Sequence, residues 1–201
     1  MPLASIHPAE LITSPEQYQE MIAHLSEQKA IAIDTESNSL FAYQERVCLI
    51  QLSSRKRDFL LDPFAFEDLQ ALGELMANKQ VQKIMHAGDY DISTLKRDYG
   101  FEFHNVFDTM LAASALGETN LGLSTLLEKY FGIQLAKKYQ RANWGERPIK
   151  ADMLRYAQAD SHFLIPLRDY LMPRLEKIGW LELVQEDSNA MAKNTPAMKP
   201  H

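Results

Sequence analysis

Three short apolar runs follow one another within residues 30–63, and they constrain the fold more than any other feature of the chain. The runs are "AIAIDTE" (30–36), "RVCLIQLSS" (46–54) and "DFLLDP" (58–63). Runs of this length bounded by turn residues are typical of β-strands. The tetrapeptide "SRKR" between the second and third runs suits an exposed hairpin turn. The sequence therefore predicts a sheet that begins as an antiparallel meander.

After Pro63 the pattern changes to strands that alternate with helices. Helical periodicity in "AFEDLQALGELMAN" is followed by a strand at 81–87, a helix that ends at Gly100, and a strand at 105–109. Such alternation adds strands to a sheet through helical crossovers and places helices on its faces. We therefore expect an α/β fold with a mixed sheet, an antiparallel meander plus crossover strands, flanked by helices.

The length of the chain and its segments without periodicity set the expected domain boundaries. One domain over residues 5–187 is expected, because 201 residues with 46% hydrophobic side chains supply one sizeable core. Residues 134–150 have no clean period and predict a long loop, which in a compact domain is usually functional or disordered. From Ser188 the chain is small, polar and aperiodic, so residues 188–201 are expected to form a flexible C-terminal tail.

The net charge of −6 argues against a generic polyanion binder, since such proteins usually carry a basic excess. That argument weakens if several acids hold metal ions, because neutralised carboxylates no longer repel phosphate. No stretch has the roughly 18 to 20 apolar residues of a membrane span, and the N-terminal segment lacks the order of a signal peptide. A cytoplasmic protein without a membrane partner is expected.

Two carboxylates end the first predicted strand. Side chains at positions i and i+2 of a strand point to the same face, so Asp34 and Glu36 project together. Without a partner they would raise each other's pKa, and the arrangement becomes favourable mainly when a cation lies between them. Two interpretations stay open from this pair alone, namely a cation site and two acids at the solvated end of a strand.

Further acids occur at two later points. In "HAGDYDI", Asp89 and Asp91 occupy the first turn of a helix, where free amides and the helix dipole stabilise carboxylates. Asp89 fits the role of a cap, whereas Asp91 lies further in and can lean across the sheet edge toward Asp34. In "YAQAD", Tyr156 and Asp160 are spaced i, i+4 and share a helix face, a pair that is also common on ordinary helix surfaces.

Taken in order, these segments resemble the exonuclease motifs of the ribonuclease D family, which includes the catalytic domain of the nuclear exosome exonuclease. The matching segments are "DTE", "HAGDYDI", "FDT", "YQRANWGERPI" and "YAQADSHFL". The resemblance implies a ribonuclease H-like fold and a four-acid 3′-to-5′ exonuclease of the tyrosine subclass. Asp89 and Asp108 are then not metal ligands. The residues that it implies for catalysis are Asp34, Glu36, Asp91, Asp160 and Tyr156, and the four acids among them are the implied metal ligands.

The implied chemistry follows from the donor set. Carboxylate oxygens suit hard divalent cations, so two Mg²⁺ or Mn²⁺ ions are the expected cofactors. By the resemblance, Asp34 bridges both ions and Asp91 acts largely through a shell of water. Glu36 and Asp160 chiefly hold the ion that activates the attacking water. Tyr156 would orient this water, because an ordinary tyrosine pKa of about 10 makes a poor base at neutral pH.

The expected activity is that of a metal-dependent 3′-to-5′ exoribonuclease, which releases nucleoside 5′-monophosphates from single-stranded RNA in processing or decay. The basic segment 137–150 is expected to face this anionic strand, with Lys137 and Gln140 as nucleotide contacts. Trp144, Arg147 and Pro148 are expected to anchor the loop.

Two alternatives stay open. A 3′-to-5′ DNA exonuclease is the nearest alternative. RNA is distinguished from DNA by a contact to the 2′-hydroxyl, and no residue in the sequence indicates such a contact. A binding module that holds a strand end without cleaving it is the other. We expect no counterpart of the helical domains that follow in ribonuclease D, and therefore a distributive enzyme, or one helped by self-association into a homo-oligomer. Ser37 stands where the family often has a bulky group, which predicts weaker stacking on the terminal base.

Overall fold

Strands and helices alternate along residues 6–136 and 138–197, which the computed structural model describes. The strands of these residues are β1 (Glu10–Ile12), β2 (Ala30–Ser37), β3 (Val47–Ser53), β4 (Asp58–Leu61), β5 (Gln82–Met85) and β6 (Val106–Asp108). The α-helices are α1 (Pro15–Ser26), α2 (Gln70–Ala77), α3 (Asp89–Tyr99), α4 (Thr109–Ala115), α5 (Leu123–Phe131), α6 (Ala151–His162), α7 (Leu164–Lys177) and α8 (Leu181–Asn194). Within the described ranges, no helix is long and apolar enough to cross a membrane.

The sheet combines an antiparallel centre with parallel strands on both sides. Its spatial order is β1-β4-β3-β2-β5-β6. The strands β2, β3 and β4 pair antiparallel, whereas β5 joins β2 and β6 joins β5 in parallel. The predicted meander with crossover strands is therefore confirmed. The edge strand β1 was not expected, because three residues are too few to show the alternating pattern of a strand. These residues form a strand through their pairing with β4.

The strand β2 is covered on both faces until it reaches the acids. Ile31 and Ile33 point into a core that they share with α1, α2 and α3. Ala32 points to the other face and packs against Leu164 of α7. Residues Asp34–Ser37 are only partly buried. The carboxyl end of β2 therefore opens toward solvent, which is where ligands commonly bind in α/β sheets.

The helix boundaries follow capping signals in the sequence. Before α1, the Ser14 hydroxyl accepts from the Gln17 amide, and the Gln17 side chain accepts from the Ser14 amide. The helix α3 ends, as predicted, at Gly100, which adopts a left-handed φ of +68°. Asp108 caps α4 by accepting from two amides of its first turn. These local interactions fix where the site-bearing elements begin and end.

The C-terminal helix α8 corrects the expected tail. Residues 188–194 belong to α8, so the flexible segment expected over 188–201 is wrong for this part. Ser188 is fully buried, and its hydroxyl donates to the Val184 carbonyl and accepts from the Asp108 amide. The small residues of 188–194 allow α8 to pack closely on β6. Their small, polar composition is also typical of a flexible segment, which is why a tail was expected. Residues 198–201 and residue 5, the expected domain start, lie outside the described residues.

Candidate active site

Acidic side chains from different elements meet at the open end of β2. Asp34 and Glu36 come from β2, and Asp160 comes from α6, which packs on β2, β3 and β4. One carboxylate oxygen from each of the three lies within 4.8 Å of the other two. The strand period places the first two on one face, and the packing of α6 adds the third. The pair at the strand end is therefore part of a cluster.

Asp91 reaches this region from the first turn of α3 but is not a member of the close group of three. It is only 7% exposed, and its carboxylate accepts a hydrogen bond from the hydroxyl of Thr35. Thr35 lies between the two acids of β2 and points to the opposite face. The role of Thr35 was missed in the sequence, because a threonine between two acids carries no signal of its partner on another element.

The start of α3 is held by a different acid from the one expected. Asp89 is exposed and is not the N-cap, since Gly88 occupies that position without any side-chain cap. Instead, Asp108 accepts from the Gly88 amide at 2.8 Å and ties α3 to the end of β6. A β-carbon on Gly88 would lie 2.8 Å from that of Met85, so glycine allows this close approach. Asp108 thus has a structural use, which agrees with its exclusion from the implied ligands.

Burial and mutual repulsion oppose ionisation of the four acids. Removal from water is the largest cause for each of them, and repulsion from other carboxylates adds to it. The pKa of Glu36 rises to about 9, and that of Asp34 rises well above its ordinary value. The pKa values of Asp91 and Asp160 rise to about 7. Full ionisation therefore requires a compensating cation, and these oxygen donors fit divalent metal ions such as Mg²⁺ or Mn²⁺.

Gln51 is a buried polar residue beside this cluster and was not predicted as part of the site. It lies directly opposite Asp34 in the pairing of β2 with β3, and its Nε2 is 3.4 Å from Asp34 Oδ2. Its Oε1 is buried and, among the described residues, has no hydrogen-bond partner. A polar side chain in the fully buried strand "VCLIQLS" was the available signal. Such a group at the base of a site adds a further oxygen that requires a partner.

Tyr156 lies one helical turn before Asp160 on α6 and faces the same region. Its ring packs against Trp144, with the ring centres 6.1 Å apart, and against Tyr139 at 5.9 Å. Burial raises the pKa of Tyr156, and the charges of Asp160, and then of the β2 acids, raise it further. The phenol is therefore protonated at neutral pH and can orient a ligand by hydrogen bonding, but it is not a base.

The loop between α5 and α6 is fixed to the body of the domain by Arg147. Its guanidinium binds both carboxylate oxygens of Asp62, at 2.6 and 2.8 Å, and donates to the Cys48 carbonyl at 2.7 Å. Trp144 is 1% exposed in the same loop. The expected anchoring by Trp144 and Arg147 is confirmed, whereas the partner Asp62 was missed because it lies 85 residues away.

A cleft of about 230 Å³ lies beside the acids, between the end of β2 and this loop. Glu36, Ser37, Tyr90 and Gln140 are among its lining residues. The contact of Gln140 with a nucleotide stays a prediction. Lys137, the other expected contact, lies outside the described residues. Ser37, the departure from the family pattern, donates its hydroxyl to Glu45 at 2.7 Å.

The histidines near the site make structural contacts. The Nδ1 atom of His86 is 2.9 Å from the Thr109 hydroxyl at the start of α4. His162 follows Asp160 by two residues, but its Nδ1 atom is 2.8 Å from a carboxylate oxygen of Asp58. Neither ring is part of the group of three acids.

Comparisons with known proteins agree with this geometry. The family model for the 3′-5′ exonuclease domain matches residues 9–176. The exosome complex exonuclease RRP6 of Saccharomyces cerevisiae is 36% identical over 178 residues, which are 88% of this chain and 24% of the yeast protein. The exosome complex component 10 homolog of Caenorhabditis elegans is 35% identical over 85% of this chain and 20% of its own length. The chain thus spans less than a quarter of these relatives' length.

Solved structures show the same fold. The catalytic core of RRP6 from Trypanosoma brucei superposes with a TM-score of 0.88 at 30% identity, over 96% of this chain and 54% of that one. Escherichia coli RNase D gives a TM-score of 0.88 at 26% identity, over 96% of this chain and 52% of the other. The expected ribonuclease H-like fold is therefore confirmed. The chain belongs to the 3′-5′ exonuclease family and is homologous to ribonuclease D and RRP6.

Proposed function

We propose that this protein is a metal-dependent 3′-to-5′ exoribonuclease, which releases nucleoside 5′-monophosphates from the 3′ ends of single-stranded RNA. The observation that carries the proposal is the convergence of Asp34, Glu36 and Asp160 within 4.8 Å. Tyr156 lies on the same face of α6 as Asp160. The relatives support RNA as the substrate. One is an exosome complex exonuclease, and another is an exoribonuclease involved in structured RNA processing.

The four acids, Asp34, Glu36, Asp91 and Asp160, would hold two divalent ions, with Mg²⁺ and Mn²⁺ as the candidates. When bound, such ions polarise the phosphodiester and lower the pKa of the attacking water. The Thr35 hydroxyl holds the Asp91 carboxylate at the end of β2.

Tyr156 contributes a hydrogen bond that orients the attacking water, since its hydroxyl stays protonated. The water oxygen forms a new bond to the terminal phosphorus, and the bond from that phosphorus to the 3′ oxygen of the preceding nucleotide breaks. This 3′ oxygen leaves as a hydroxyl with a proton, and the water's other proton passes to solvent. The products are a nucleoside 5′-monophosphate and a strand one nucleotide shorter.

The cleft beside Glu36 is where the terminal nucleotide would bind. Its volume of about 230 Å³ and its position beside the acids support this placement. Gln140 lines the cleft, and we propose that it contacts the nucleotide together with Lys137. Arg147 and Trp144 hold the loop that presents these residues.

One experiment tests the activity. Single-stranded RNA labelled at its 5′ end and DNA of the same sequence are incubated with Mg²⁺ or Mn²⁺, beside Asp34→Asn as a control. A ladder that shortens from the 3′ end of RNA, requires metal and is lost in the variant supports the proposal. Shortening of DNA alone favours a DNA exonuclease, and retention of either strand without shortening favours a binding module.

Two further expectations belong to the proposal. Self-association would supply phosphate contacts beyond those of one catalytic domain. Light scattering of the purified protein measures its mass and tests this expectation. The cytoplasmic location stays a prediction, which imaging of the full protein in its own cells would test.

A further inference from the structure

Glu45 is a buried acid that the proposed reaction does not use, although it lies directly behind the substrate cleft. It belongs to the segment between β2 and β3, and its side chain is only 5% exposed. One carboxylate oxygen, Oε1, accepts from the Ser37 hydroxyl at 2.7 Å and also from the Tyr90 hydroxyl. The other oxygen, Oε2, accepts from Arg97 at 3.1 Å. A buried carboxylate with three charge-assisted bonds is rigidly held.

The two hydroxyl partners of Glu45 both lie beside residues of the site. Ser37 directly follows Glu36, and Tyr90 directly precedes Asp91. Ser37 and Tyr90 also line the cleft of about 230 Å³. Tyr90 is 43% exposed, so its ring presents a large surface to whatever binds there. A single carboxylate thus connects two walls of the cleft.

Arg97, which binds Glu45 on the side away from the cleft, is itself held by further contacts. Arg97 also binds Asp98 at 2.6 Å, and Asp98 accepts from the Val47 amide of β3 at 2.8 Å. Burial opposes ionisation of Glu45, but the hydrogen bonds from its partners outweigh this and hold its pKa below the ordinary value. These hydrogen bonds therefore connect β3 to Asp98 and Arg97 of α3, and through Glu45 to the rim of the cleft.

The hydrogen bonds of Glu45 go to Ser37, Tyr90 and Arg97, and none of them joins it to a metal-binding acid. Asp91 has its own support in the Thr35 hydroxyl, and the group of three acids does not include Glu45. Glu45 is the charged partner of the Tyr90 hydroxyl, and the neutral hydroxyls of Ser37, at 3.4 Å, and Ser39 also interact with it.

We propose that Glu45 is a positioning residue, which fixes Tyr90 as the wall of the cleft against which the 3′-terminal nucleotide binds. This inference rests on the proposed exonuclease activity and deepens it. Glu45 then controls the affinity for the strand end, and the rate of the bound strand's cleavage does not depend on it. The expected signature is a change in KM with little change in kcat.

The test uses Glu45→Gln, Tyr90→Phe and a matched control, Glu118→Gln. Glu118 makes a similar set of bonds, to the Tyr130 hydroxyl and to Lys129, and it lies on a different part of the surface. Glu45→Gln removes the negative charge between the hydroxyls and Arg97. Tyr90→Phe removes one hydroxyl and leaves the ion pair intact, so this second variant covers the case in which Glu45→Gln does not fold. The substrate is the labelled strand that the unaltered protein shortens.

We expect Glu45→Gln to raise KM about tenfold and to leave kcat within about twofold, as suits the loss of one charge-assisted hydrogen bond. Tyr90→Phe should raise KM in the same direction, and Glu118→Gln should leave KM unchanged. The inference is overturned if KM of both cleft variants stays within about twofold of the unaltered protein. It is also overturned if Glu45→Gln lowers kcat and Tm with KM unchanged, which indicates a purely structural role. If the unaltered protein shortens no strand, the proposed function itself fails.

Discussion

The Thr35 hydroxyl donates a hydrogen bond to the carboxylate of Asp91 and thereby joins the end of β2 to the first turn of α3. The two residues are 56 positions apart in the chain. Thr35 lies between Asp34 and Glu36, so the same strand supplies two acids and holds a third. Backbone hydrogen bonds at Thr35 and Asp91 support the same carboxylate, so the end of β2 and the start of α3 are joined at this point.

Replacing Thr35 by valine should lower kcat about tenfold, because Asp91 would lose a hydrogen bond that holds its carboxylate at the end of β2. Thr35→Ser keeps the hydroxyl and should stay within about threefold of the unaltered protein. Steady-state kinetics with Mn²⁺ measures both variants, and calorimetry measures their Mn²⁺ affinity. Equal activity of the valine and serine variants would show that this contact has no role in the reaction.

Replacing Asp34 by asparagine should stabilise the metal-free protein while it abolishes the stabilisation by metal. The raised pKa of Asp34 shows that its charge is unfavourable without a cation, so a neutral isostere relieves repulsion. In EDTA, Tm should rise by about 2 to 4 °C. Addition of Mn²⁺ should then raise Tm of the unaltered protein but not of the variant. The control is Asp89→Asn, which changes an exposed acid close in sequence to Asp91. An Asp34 variant that Mn²⁺ still stabilises would contradict the assigned ligand.

The stability of the metal-free protein should fall as pH rises from about 4 to about 8. The pKa values of Asp91 and Asp160 are about 7 in the folded protein, and that of Glu36 is about 9, against about 4 in the unfolded chain. In this range the folded state binds more protons than the unfolded chain, so stability falls with rising pH until the pH passes the folded pKa values and then levels off. Unfolding by denaturant at a series of pH values measures the slope.

The variant Asp160→Asn should flatten that slope, because one of the groups with a raised pKa is gone. Mn²⁺ should reverse the trend, since it binds the ionised acids, and its effect on Tm should be larger at about pH 8 than at about pH 6. A metal-free protein that becomes more stable between these two pH values would contradict the raised pKa values.

Replacing Tyr156 by phenylalanine should preserve metal binding and lower kcat by about a hundredfold, because the hydroxyl orients the attacking water and binds no ion. Mn²⁺ should still raise Tm of this variant by as much as it raises Tm of the unaltered protein. Tyr139→Phe is the matched control, since its ring packs against Tyr156. Full activity of Tyr156→Phe would count against the role of the tyrosine.

Replacing Arg147 by lysine should loosen the loop between α5 and α6, because an ammonium group lacks the planar fork with which the guanidinium binds both oxygens of Asp62 and also donates to the Cys48 carbonyl. The free energy of unfolding should fall by about 1 to 2 kcal/mol, and the loop should be cut faster in limited proteolysis. Arg155→Lys, on the exposed face of α6, serves as the control. Equal cleavage rates for the two variants would show that the loop is held by other contacts.

Local signals determined much of the architecture from the sequence alone. The apolar runs gave the meander, the Ser14 and Gln17 pair marked the start of α1, and Gly100 marked the end of α3. These features depend on residues within a few positions of one another, so a linear reading captures them. The order of the acidic segments also identified the family.

Only the tertiary structure decided the rest. The helix α8 continues through Ser188 because that residue packs on Asp108 of β6, and its own neighbours in sequence give no sign of this. The hydrogen-bond partners of Thr35 and Arg147 lie 56 and 85 positions away in the sequence. A side chain's hydrogen-bond partner across such distances is set by how strands and helices pack, whereas its position on a strand face is set by the backbone period. The sequence therefore indicated which acids belong to the site, and packing decided which residues hold them there.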